Sequence, residues 1–148
     1  MAWRMSDYSP DDSATLSIRP LEICKEAEVD VWRIGWQVAN LGGKQVEIVE
    51  AWLPHGRFRA EREPFSPPLV LDAGESTLVY SRVRCSAEPG EIVENAFLIL
   101  RAGFGARDWR VFSRLRVERT GLDSIGLTVE KVTAHPVGFL SGKEGRWR

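Results

Sequence analysis

The residues able to do chemistry in this chain are many in type and poor in arrangement. Two histidines, His55 and His135, stand far apart in sequence, as do two cysteines, Cys24 and Cys85. A nucleophilic serine presented by a strand-to-helix elbow needs Gly-x-Ser-x-Gly, and the chain has no such run. A structural zinc site calls for closely spaced Cys or His ligands, and there is no Cys-x-x-Cys. The sequence therefore points to no metal, no cofactor and no catalytic constellation. A hydrolase triad assembled across the fold ranks third among the readings. Gly103-Phe104-Gly105 is rich in glycine like a phosphate loop, but such a loop opens a helix and here a strand follows, so a hairpin turn is expected.

Two groups of residues are better placed to bind than to catalyse. The first is Trp52, His55, Arg57 and Arg59, which would hold an anion or a sugar if a loop gathered them; an isolated solvated histidine is the plainer reading of His55 and of His135. The second emerges from strand parity. If Ala96, Leu98 and Leu100 face a core, Phe97 and Ile99 point away from it. If Val111, Leu115 and Val117 face that core, Phe112 points away too. Arg101, Arg110, Arg114 and Arg116 fall in the same outward phase. Aromatic residues among arginines have the composition of an interface centre. Two outcomes are open for this face. The segment from Leu127 to Leu140, with Val129, Val132, Val137 and Phe139, folds back over it, or it stays bare and binds a protein partner or a second copy.

The elements that must position these groups are strands. No run of helical length places apolar residues at i, i+3, i+4 and i+7, whereas period-two runs recur between Gly and Pro. Leu16 and Ile18 share a phase that switches after Pro20 to Leu21 and Ile23. Trp32, Ile34, Trp36 and Val38 alternate with Arg33, Gly35, Gln37 and Ala39. Gln45 to Leu53 follows, with a phase shift that predicts a bulge. Pro54 to Pro68, with four prolines, reads as a long loop. Leu69-Val70-Leu71 is a short strand. Thr77 to Ser86, Glu94 to Ala102 and Trp109 to Arg119 are longer strands, and Cys85 reads as a core residue. Leu127 to His135 is a further strand. The expected organisation is a tail over residues 1–14, a β core over 15–119 and an extension over 120–148 whose last residues, 141–148, are a second tail.

Asn40-Leu41-Gly42-Gly43 closes the tryptophan-bearing strand, and Leu71-Asp72-Ala73-Gly74-Glu75-Ser76 precedes a long strand. In these features residues 15–119 resemble an immunoglobulin-like or fibronectin-like bacterial β-sandwich domain of the adhesion-related type. The resemblance implies an all-β, immunoglobulin-like sandwich of about seven to eight antiparallel strands. It implies no activity. Cys24 and Cys85 do not sit where an antibody-type bridge would place them, and no tyrosine corner is present.

Bulk properties narrow the partners. At 148 residues and a net charge of -1 the chain is long enough to bury a core and is no polyelectrolyte, which argues against nucleic acid and acidic membrane as partners. The basic residues are mostly arginine, with lysine only at positions 25, 44, 131 and 143. No apolar run reaches the ~18 residues of a membrane span, and the first residues carry no apolar leader core. A cytoplasmic protein with free thiols is expected.

Overall fold

The computed structural model describes residues 15–105 and 107–139. The stretches 1–14 and 141–148, expected as tails, lie outside them. The chain forms β1 (Leu16–Lys25), β2 (Val31–Asn40), β3 (Val46–His55), β4 (Phe58–Leu71), β5 (Ser76–Cys85), β6 (Ile92–Phe104), β7 (Arg107–Arg119) and β8 (Ile125–Phe139). Every pairing is antiparallel, and hydrogen bonding runs β1-β2-β5-β4-β3-β6-β7-β8.

The described residues form an all-β fold of eight strands, in line with the period-two pattern. In place of two separate sheets it has one continuous sheet, curled until its ends, β1 and β8, come into contact. The join that makes it continuous is short. β4 meets β5 only at Phe58↔Cys85 and Arg59↔Arg84.

The alternation in each strand decides what lies inside. Trp32, Ile34, Trp36 and Val38 are all buried, as are Ala96, Leu98 and Leu100 and, across the next strand, Val111, Leu115 and Val117. One apolar cluster gathers side chains from all eight strands. Burying a side chain of Leu or Val size stabilises by roughly 1.5–3 kcal/mol, so this cluster supplies the main driving force. The indole N–H of Trp36 donates to Ser81 Oγ at 3.2 Å. Cys85 is buried and Cys24 exposed, both as free thiols.

The turns follow residue chemistry. Glu91 N–H donates to the Glu88 carbonyl at 2.9 Å across Pro89-Gly90, and Gly90 has φ 93°. Proline then positive-φ glycine is the type II pattern. Asn40 ends β2 by different means. Its Nδ2 donates to the carbonyls of Lys44 (2.8 Å) and Leu71 (3.0 Å), and its Oδ1 accepts from Gly42 N–H. The buried amide thus ties three segments at one end of the barrel.

Two expectations need correction. Residues 54–68 are not a long loop: only Gly56 and Arg57 separate β3 from β4, and β4 runs as an irregular strand through its prolines. An outer strand tolerates proline because one side of its backbone need not donate. Its ladder with β3 slips between Ile48 and Glu50 and again between Ala51 and Leu53. The slips account for the phase shift seen in that stretch. The C-terminal segment does not fold back over the outer face either. β8 pairs edge to edge with β7 along its length, from Arg119↔Ile125 to Arg107↔Phe139. Leu127, Val129, Val132 and Ala134 pack against the core instead.

Candidate interaction face

Paired residues of antiparallel strands share a face of the sheet. The register across β3, β6, β7 and β8 therefore lays out the outer face as rows. One row is Trp52, Ile99, Phe112 and Thr133. Beside it on one flank run Glu50, Arg101, Arg110 and His135. On the other run Phe97, Arg114 and Lys131. All six residues expected on this face, Phe97, Ile99, Arg101, Arg110, Phe112 and Arg114, lie in these rows. Trp52, assigned by sequence to a separate loop, joins them.

The apolar centre is built by edge-on contacts. Phe97 and Phe112 meet at 6.0 Å between centroids with planes at 86°. Phe112 meets His135 at 5.6 Å and 73°. These are the T-shaped arrangements that ring quadrupoles favour. Phe97 and Phe112 are half-buried, and Ile99, hemmed in by its neighbours, is 8% exposed although it stands outside the core cluster. The guanidinium of Arg62, from β4, lies 3.9 Å from the Trp52 ring centroid and holds Glu50 at 2.5 Å. His135 Nε2 and Thr133 Oγ1 are 3.0 Å apart.

The arginines are not idle cations. Arg101 Nε donates to both oxygens of the buried Asp108 carboxylate at 3.1 Å, and Arg110 reaches the same carboxylate at 3.2 Å. Arg114 pairs with Glu130 at 3.4 Å and Arg116 with Glu94 at 3.6 Å. Each arginine bordering the apolar centre thus has an acid beside it. The face offers apolar rings in a frame of ion pairs in which five arginines meet four acids, Arg101 and Arg110 sharing Asp108. Sequence reasoning missed Arg62, Glu50 and Asp108. A Glu61-Arg62-Glu63 charge run inside an assumed loop concealed Arg62. The partnership of Asp108 with Arg110, two residues on and in the same phase, was legible.

The other expected group does not assemble. His55 Nδ1 accepts the Arg57 backbone N–H at 3.0 Å within the β3–β4 turn. Arg57 pairs with Glu91, and Arg59 pairs with Glu61 at 2.9 Å. Arg59 lines a hollow of about 210 Å³ with Ala60, Glu61 and Arg84, among others. Trp52 faces the aromatic row, so the four do not converge on one ligand position.

Titration offers no competing centre among the described residues. Glu28 is held below the usual carboxylate range chiefly by hydrogen bonds from Arg84 and Arg82, and Arg82 is raised in turn by Glu28. Glu91 is lowered first by the Glu88 backbone N–H, with Arg57 adding to the effect. These are surface ion pairs of ordinary kind. Groups of three or more metal-ligating side chains are absent among the described residues. So is any helix long and apolar enough to cross a membrane. Comparison with protein-family models, with curated proteins and with solved structures finds no match to this chain.

Proposed function

We propose that this protein is a non-enzymatic interaction module that docks a protein partner on the outer face of β3, β6, β7 and β8. One observation carries the reading: three half-buried rings, Trp52, Phe97 and Phe112, stand around the buried Ile99 as an apolar centre on the outer face, with the Arg62 guanidinium lying over the Trp52 ring. Specific interfaces concentrate their energy in a few aromatic anchors surrounded by polar groups. A standard interface takes roughly 800 Å² from each partner, so the rings would be its middle and the arginine–acid pairs its rim.

The strand order supports an immunoglobulin-like reading of the fold. β1-β2-β5 and β3-β6-β7 neighbour one another as the A-B-E and C-F-G strands of such domains do. β4 lies beside β3, and β8 extends the β7 edge. On this reading the two-pair join between β4 and β5 is a corner between two sheets. Free thiols at Cys24 and Cys85 fit a reducing compartment, and we place the protein in the cytoplasm.

The test is affinity capture followed by reconstitution. A partner recovered with the wild-type protein would be purified and titrated against wild type, Phe112→Ser and Trp52→Ser, with Arg84→Gln as a control on a distant strand. The proposal expects each of the first two variants to stay folded and to weaken binding by about tenfold or more, the scale of a hot-spot residue. Equal affinity for wild type and the folded face variants would overturn it.

A further inference from the structure

A second surface is written in the backbone. β5 is hydrogen-bonded along one side to β2, from Ser76 to Arg84. On its other side β4 accompanies it only as far as Arg59↔Arg84 and then departs. Beyond that point β4 carries Pro64, Pro67 and Pro68, which have no N–H to give a ladder.

Parity identifies the groups left behind. Cys85 N–H donates to the Asp30 carbonyl at 2.9 Å, toward β2, while Ser86 N–H donates to the Arg57 carbonyl at 3.1 Å, toward β4. Along an antiparallel strand the hydrogen-bonding direction alternates residue by residue. Arg84, Arg82, Tyr80 and Leu78 therefore aim their N–H and C=O groups at the β4 side. Arg84 meets Arg59 there; Arg82, Tyr80 and Leu78 have no β4 partner in the ladder. At ~3.4 Å per residue their spacing is that of a strand waiting for its neighbour.

Space accompanies the free edge. A cleft of about 490 Å³ opens along it, lined by Glu63, Phe65, Leu69, Leu78, Tyr80 and Arg82 among others. It shares Arg82 with the 210 Å³ hollow at the point where the strands part. Exposed strand edges are usually blunted by charge or proline. Here the prolines stand on the opposite wall, and the β5 edge keeps its donors and acceptors.

We propose that the β4–β5 seam is a peptide-binding groove that takes an extended segment of a partner protein as an added strand. The segment runs antiparallel to β5, continuing the ladder that β4 abandons at Arg59. Recognition is by main-chain hydrogen bonds, with alternate side chains seated against Phe65 and Leu69. The ligand is an uncharged stretch of β-branched residues alternating with small polar ones, free of proline at positions opposite Leu78, Tyr80 and Arg82. Charges of both signs line the seam, Glu63 and Arg82 among them, so no net charge is selected.

The probe is acetyl-Thr-Val-Thr-Val-Thr-Val-Thr-amide, titrated into isotope-labelled protein and followed by amide NMR. Saturable shifts at Leu78, Tyr80 and Arg82 are expected, with exchange of those amides slowed about tenfold or more on binding. Two further peptides carry N-methyl groups on the valines or on the threonines. One pattern should abolish binding and the other preserve it, because alternate N–H groups of the peptide face β5. Tyr80→Pro deletes an N–H of the free edge while sparing the β2 ladder, and should also abolish binding in protein that remains folded. Phe112→Ser should leave peptide binding intact, which separates this groove from the aromatic face. The proposal is overturned by the absence of saturable shifts at millimolar peptide, by shifts confined to other strands, or by equal tolerance of both methylation patterns.

Discussion

Arg119 is the residue whose role most exceeds its appearance in sequence. Its side chain is 5% exposed and closes one end of the barrel. Nη2 pairs with Asp30 Oδ1 at 3.1 Å and donates to the Leu122 carbonyl at 2.6 Å. Nη1 donates to Ala87 at 2.7 Å and Nε to Gly121 at 2.7 Å, both through carbonyls. The guanidinium also lies 4.8 Å from the Trp32 ring centroid. Only the planar fork of arginine serves so many acceptors at once. Arg119→Ala should cost about 1–3 kcal/mol, because it strands buried carbonyl acceptors, and Arg119→Lys should restore only part of this. Urea unfolding of the three proteins checks both statements. Half of this role was legible. Val111, Ser113, Leu115, Val117 and Arg119 share one phase of β7, so the parity that turns the three apolar residues inward extends to the arginine. Its partners come from turns distant in sequence, and no local pattern names them.

At the scale of the element, the strands were readable because burial on one side imposes alternation. β2 is the clearest case. Its outward phase contains Gly35, opposite Tyr80. The Tyr80 ring lies over that glycine: a β-carbon there would stand 2.9 Å from Tyr80 Cε1 and 3.3 Å from Glu22 Cβ. The same ring stacks with Arg33, whose guanidinium carbon is 4.1 Å from its centroid. Gly35→Val should displace the tyrosine and destabilise the protein by about 1–3 kcal/mol, read as a lower midpoint in thermal unfolding. β4 was misread for an equally physical reason. Its three prolines, with Pro54 near the end of β3, mimic a loop in any pattern that ranks residues by strand preference. What keeps the segment extended is β3 alongside it, and a neighbour of that kind has no signature inside the segment.

At the scale of the whole molecule, the pattern foretold an all-β chain of about eight strands but left open how its sheet would curl. That depends on where pairing stops, and the stops at β4–β5 and between β1 and β8 are set by contacts across the chain. The aromatic face was legible because parity in two adjacent strands, β6 and β7, placed Phe97, Ile99 and Phe112 together. The pairing of charges on that face was not, because Glu130, Glu94 and Glu50 reach their arginines from other strands. Pairing at short range weakens the field at long range, and field at long range is what hastens encounter between proteins. A partner approaching the rings would feel little pull until it arrived. Its association rate should therefore sit near the unsteered 10⁵–10⁶ M⁻¹s⁻¹ and change only modestly between low and high salt, so that the lifetime of such a complex, rather than the speed of its formation, would set its affinity.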